Sequence, residues 1–122
     1  MDKLTKANED YLECILLLEK NGNTFIKSID ISKALNVSKP AVSKASNELK
    51  DLGLINKDRY GQISLTNIGR ELANQVYSKH TTIKNFLLKI GVSEEIAELD
   101  CCKIEHILSK ETLDKIKEFN DK

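Results

Sequence analysis

Near the C-terminal end, residues 100–108 (DCCKIEHIL) bring Cys102, Glu105 and His106 within five positions. On a helix, residues three and four apart share a face, so a thiol, a carboxylate and an imidazole converge on one point. That donor set suits a borderline transition metal such as Fe(II), Zn(II), Co(II) or Mn(II). Three donors from one helix leave an ion incompletely ligated. Two other segments offer more: Asp10 and Glu13, again three apart, on a helix near the N-terminus, and His80, set in the apolar stripe of a long helix. Taken singly, each has an ordinary explanation: a satisfied core histidine, a solvated acidic pair, a small buried thiol. Taken together, a single site accounts for both histidines of the chain and for the acids on the first helix.

The elements that must position these residues follow from periodicity. Residues 6–20 place Ala7, Tyr11, Cys14, Ile15 and Leu18 at helical spacing, with Asn8 as the expected cap, and NGNTF ends that helix. A short helix over SIDISKALN turns Ile29, Ile31 and Leu35 inward. After a turn of about three residues, a second helix is capped by Ser38, carries Pro40 in its first turn, buries Val42, Ala45 and Leu49, and stops at Gly53. Two helices around a tight turn form a helix-turn-helix. Alternating residues 54–57 and 62–66 flank DRYG and predict a two-stranded hairpin, or wing. From Thr66 a long helix aligns Leu72, Val76, His80, Ile83, Leu87 and Ile90. Helices starting at the Ser93 and Ser109 caps follow, the first extending through His106 to Leu108. The expected fold is mainly α: a winged helix-turn-helix domain over residues 1–70, then an α-helical metal-binding and dimerisation domain over 71–122.

Composition agrees. The chain of 122 residues is 40% hydrophobic and 31% charged, with one Pro, five Gly and no Trp, as in a soluble helical protein too short for a monomeric two-domain enzyme. No apolar run approaches the ~20 residues of a membrane span and no signal-peptide core is seen, so a cytoplasmic protein without a membrane partner is expected. Three cysteines, two of them adjacent, make a poor disulfide framework and read as reduced thiols. Net charge is zero, but it is unevenly placed. Residues 27–59 carry seven basic against four acidic side chains, and residues 91–122 carry nine acids against five lysines. A basic middle suits phosphate and an acidic tail suits cations.

The helix from Ser38 meets the demands of a recognition helix. Ser38 and Lys39 stand where phosphate approaches, Pro40, Ser43, Lys44 and Asn47 form the outward face for a major groove, and Lys57 and Arg59 on the wing meet the neighbouring backbone. One such module makes few contacts, so two copies reading two half-sites of a palindromic double-stranded operator are expected. The apolar positions Ile96, Leu99, Ile104, Ile107, Leu108, Leu113 and Ile116 exceed what a lone long helix covers, consistent with a homodimer.

Across essentially its whole length the chain resembles the metal-dependent repressors that include the diphtheria toxin repressor and the manganese transport regulator MntR. The resemblance runs through NEDYLECI, ALNVSKPAVSKASNELKDLGLI, LTNIGRELA, KHTTIKNFLLKIGV and CCKIEHILS. It implies a winged-helix domain, a helical dimerisation domain, and a divalent metal bound where the two meet. By motif match, Asp10, Glu13, His80, Cys102, Glu105 and His106 occupy the family's ligand positions. The SH3-like third domain of larger iron-responsive members has no counterpart in these residues. Asp10 and Glu13 look like the manganese-responsive branch, Cys102 looks like the iron branch, and Lys84 replaces an acid of the iron branch's second site. Ligand softness favours Fe(II) over Mn(II), with Zn(II) or Co(II) as substitutes in vitro and one or two ions per subunit, the larger number requiring Glu13 or Glu105 to bridge.

The expected function is a homodimeric, metal-activated transcriptional repressor of metal-uptake genes, with no enzymatic activity and no small organic substrate. Two rival classes make different demands. A thiol redox regulator sensing through Cys101 and Cys102 would need those sulfurs and not Asp10, and a metalloenzyme would use the ion to activate water.

Overall fold

The computed structural model describes residues 4–122. Elements run α1 (Lys6–Lys20), α2 (Ser28–Leu35), α3 (Lys39–Asp51), β1 (Ile55–Lys57), β2 (Ile63–Leu65), α4 (Asn67–Lys89), α5 (Glu94–Ile104) and α6 (Lys110–Asn120). They form two compact units, Met1–Asn74 and Gln75–Lys122.

In the first unit, α1 starts one turn earlier than its expected cap. Thr5, not Asn8, caps it: the Thr5 hydroxyl accepts the Asn8 N–H at 3.1 Å, and Asn8 is a buried residue inside the first turn. Such a cap contributes about 1 kcal/mol. Leu12, Ile15 and Leu16 of α1 meet Ile31 of α2, Val42 and Leu49 of α3, and Leu54, Ile55 and Ile63 of the hairpin in one core. Each fully buried aliphatic side chain there contributes roughly 1.5–3 kcal/mol. Ile29, expected inward, is exposed. At ~100° per residue, Ile29 and Ile31 stand on nearly opposite sides of α2, and Ile31 takes the inward position.

The α2–α3 connection is the expected tight turn. Asn36 closes α2 in the left-handed region at φ 54°, and the Ser32 hydroxyl donates to the Val37 carbonyl at 2.6 Å. Ser38 then accepts the Ala41 N–H at 3.3 Å, with Pro40 in the first turn of α3. β1 and β2 pair antiparallel, Ile55 opposite Leu65 and Lys57 opposite Ile63. The Asp58 carboxylate accepts the N–H groups of Tyr60 and Gln62, each at 2.9 Å, and fixes the tip. Thr66 ties α4 back to the hairpin, its hydroxyl donating to the Gly53 carbonyl at 2.8 Å and accepting the Gly69 N–H at 3.0 Å. Gly69 is required here, because a Cβ on it would lie 1.8 Å from the Leu54 carbonyl oxygen.

The second unit comprises most of α4 with α5 and α6. Val76 and Ile83 of α4, with Ala97 and Cys101 of α5, are its buried apolar residues among those described. Leu72, His80 and Leu87 are half-buried, whereas Ile90, expected on the same stripe, is exposed beyond the helix end. Ser93 caps α5 by accepting the Ile96 N–H, as expected. The helix stops at Ile104 rather than continuing to Leu108, with Glu105 as its C-cap. Ser109 caps α6, which buries no residue fully. Asn120 holds it to α4 by donating to the Thr82 carbonyl at 2.9 Å, and the Lys89 ammonium donates to the carbonyls of Phe119 and Lys122, both at 2.9 Å. Cationic capping of terminal carbonyls is favourable at the negative end of a helix dipole. No helix among the described residues is long and apolar enough to cross a membrane.

Candidate metal centre and nucleic-acid interface

In the second unit, the donors gather around His80. Its Nδ1 lies 3.0 Å from Glu105 Oε2, and its Nε2 lies 3.1 Å from Glu98 Oε1. The Cys101 sulfur is 3.5 Å from His80 Nε2 and the Cys102 sulfur 3.9 Å from His80 Nδ1. One donor atom from each of His80, Glu98, Cys101 and Cys102 falls within 4.8 Å of all the others. Glu105 extends the cluster, since its other oxygen lies 3.3 Å from His106 Nε2. The early end of α5 does not spoil this arrangement. Glu105 retains right-handed helical angles (φ −57°, ψ −23°) and its N–H still donates to the Cys101 carbonyl at 3.0 Å, so the spacing from Cys102 persists past the last helical residue.

This site fits a divalent cation. Glu105 is only 2% exposed, and burying a carboxylate is costly unless positive charge accompanies it. Neutral His80 has one N–H to give, yet carboxylate oxygens face both of its ring nitrogens. A positive charge shared among them satisfies both carboxylates. Imidazole, carboxylate and sulfur together match the chemistry of divalent first-row transition metals.

Within this unit the structure brings together His80, Cys102, Glu105 and His106, four of the residues that sequence spacing singles out. Sequence spacing missed Glu98, which stands four residues before Cys102 and was recoverable from the same helical rule. A lysine already engages this acid. Lys84 Nζ lies 2.9 Å from Glu98 Oε2, and that hydrogen bond, ahead of the effect of His80, holds the Glu98 carboxyl below the ordinary carboxylate range. The same bond raises Lys84. Asp10 and Glu13 belong to the first unit, where both are half-buried on α1 and three residues apart.

Cys101 plays a different part from Cys102. It is fully buried, its thiol donates to the Glu98 carbonyl at 3.3 Å, and burial, then the neighbouring Cys102 and Glu98, pushes it up to about 12. Thiolate is the reactive form, so this is an inert, protonated thiol. Cys102 is exposed, and Cys14 is buried in the first unit and pushed up to about 11.

The proposed reading surface lies open in the first unit. Ser38, Lys39, Pro40, Ser43, Lys44 and Asn47 are all exposed on one side of α3, while Val42, Ala45, Ser46 and Leu49 occupy its buried side. On the wing Lys57 is half-buried and Arg59 exposed. Arg59 donates to the Tyr60 hydroxyl at 2.7 Å, which adds an exposed aromatic residue to the wing tip that sequence reasoning had not singled out.

A winged helix presenting a basic, exposed helix, joined to a helical unit with a cation-seeking cluster, defines a class of metal-responsive DNA-binding proteins. Comparison supplies the family. Residues 3–63 match the N-terminal DNA-binding domain of the iron-dependent repressors, and residues 66–122 match their metal-binding and dimerisation domain. An HTH-type transcriptional regulator of Methanocaldococcus jannaschii is 40% identical over 120 residues, covering 98% of this chain and 96% of that one. The transcriptional regulator MntR of Escherichia coli is 37% identical over 115 residues, covering 93% and 73%. Among solved structures, the manganese regulator SloR aligns with a TM-score of 0.83 at 28% identity, and T. acidophilum IdeR with 0.78 at 31%. The chain covers 55% of each of those two structures, and 97% of it is aligned in both. The chain belongs to the iron-dependent repressor family and is a metal-dependent transcriptional regulator of the diphtheria toxin repressor and MntR type. This membership, with the inert Cys101 thiol, leaves the thiol redox reading unsupported.

Proposed function

We propose that this protein is a cytoplasmic, homodimeric repressor that senses Fe(II) or Mn(II) and controls metal-ion homeostasis by binding a palindromic operator. The observation that carries the metal reading is Glu105, a buried carboxylate set between two imidazoles. The ligand set is His80, Cys102, Glu105 and His106 from the second unit with Asp10 and Glu13 from the first. A bound divalent ion supplies the double positive charge that these carboxylates require. Within the chain, Glu105 orients both rings and α5 fixes the offset between Cys102 and Glu105.

Ligands drawn from both units make metal loading and DNA binding interdependent. Each strengthens the other by the same factor, and a coupling of about 1–3 kcal/mol is the usual scale. Ser38, Lys39, Pro40, Ser43, Lys44 and Asn47 contact the groove and its flanking phosphates, with Lys57 and Arg59 on the adjoining backbone. Their exposure opposite a buried apolar stripe supports that reading. The oxygen donors favour Mn(II) and Cys102 favours Fe(II); the softness of the thiolate makes Fe(II) our choice.

The test is an anaerobic titration of Fe(II), then Mn(II), into the wild type and His106→Ala, with and without duplex DNA from the protein's own upstream region. We expect metal binding that tightens DNA binding, both effects being lost in the variant, and the better ion identifies the sensor. Equal DNA affinity with and without metal in the wild type would refute the proposal.

A further inference from the structure

His80 divides the cluster in two. Its Nδ1 faces Glu105, whose second oxygen reaches His106, while its Nε2 faces Glu98. The two sides differ in charge. Glu105 is flanked by the imidazoles of His80 and His106, whereas Glu98 receives the Lys84 ammonium at 2.9 Å. Glu94 stands 3.8 Å from the same ammonium, so Lys84 is held by two acids of α5 from its place on α4.

We propose that Lys84 is a tethered cation that withholds Glu98 from the metal and limits each subunit to a single ion, bound on the Glu105 side. The inference rests on the metal-sensing reading above and assigns the ion number that this reading leaves open. An ammonium and a metal ion compete for the same carboxylate charge: Lys84 holds Glu98 Oε2, itself 3.3 Å from His80 Nε2, and does so without any loss of translational freedom. A second dication on the Glu98 side would have to displace Lys84 and then face its charge at close range. The first ion meets no such obstacle. Glu98, Cys101, Cys102 and the second nitrogen of His80 thus form a donor group that is geometrically assembled but electrostatically filled.

Removing the ammonium tests this. Lys84 is a partly exposed side chain on the surface of α4, and both Lys84→Gln and Lys84→Met keep a long unbranched side chain, one atom shorter, while removing the charge. Mn(II) is titrated into the full-length wild type and both variants, and bound metal per subunit is counted by the loss of the free-ion electron paramagnetic resonance signal. One equivalent is expected for the wild type and a second for each variant. Adding Glu98→Gln to Lys84→Gln should abolish the second equivalent. A second equivalent in the wild type, or one equivalent in both Lys84 variants, overturns the role of Lys84. No Mn(II) bound by the wild type refutes the metal-sensing reading itself and this inference with it.

Discussion

The two units of this chain solve the problem of burial differently. In the first, three helices and a hairpin enclose Leu12, Ile15, Ile31, Val42, Leu49, Leu54, Ile55 and Ile63, and the charged side chains of α3 are left outside. In the second, Val76, Ile83, Ala97 and Cys101 are the buried apolar residues among those described, while Leu99 and Ile107 remain 56% and 80% exposed. The first unit carries its own core. The second spends buried space on Glu105 and leaves apolar surface for another subunit, as expected of a domain whose stability comes with its ion and its partner.

That contrast makes ordered demands. Leu12→Ala removes a fully buried side chain from the self-contained unit and should cost about 2–5 kcal/mol in a denaturant titration followed by circular dichroism. A cost below that range would mean the first unit is less closely packed than its burial indicates. Gly69→Ala forces a Cβ into the Leu54 carbonyl, and a loss of about 1–3 kcal/mol is expected as α4 shifts from the hairpin. Leu99→Asp should leave the unfolding of the first unit unchanged and shift sedimentation from dimer to monomer. A dimer that survives this substitution would place the interface elsewhere. The smallest effect concerns the thiols. Brief iodoacetamide treatment at neutral pH should label the exposed Cys102 ahead of Cys14 and Cys101, and Mn(II) or Fe(II) should slow that labelling. Tandem mass spectrometry reads both outcomes, with fragment ions separating Cys101 from Cys102 on their shared tryptic peptide, residues 90–103.

Much of this was legible from residue order because it rests on local rules. Ser38, Ser93 and Ser109 cap the helices they were expected to cap, and Pro40, Gly53 and the alternation around DRYG define α3 and the wing. Errors arose where tertiary packing chose between local options. Asn8 was the expected cap of α1, but it lies buried inside the first turn and Thr5 caps the helix instead. Ile29 lost the inward position to Ile31 because two residues so spaced cannot share one helix face. The extension of α5 to Leu108 was wrong, yet the Cys102–Glu105 offset survived because the C-cap keeps helical angles. Glu98 was within reach of the helical rule, but its engagement by Lys84 lay beyond pattern reading, since that meeting depends on how α4 packs on α5.

The central proposal is that metal binding and DNA binding are coupled, and Asp10→Ala tests it most directly because it removes a proposed ligand from the winged-helix unit alone. Fluorescence anisotropy would measure duplex affinity of the wild type and Asp10→Ala, with and without saturating Mn(II) or Fe(II), alongside direct metal binding. The account predicts that the variant still takes metal through His80, Cys102, Glu105 and His106 but loses most of the metal-dependent gain in DNA affinity. An undiminished gain in Asp10→Ala would contradict it.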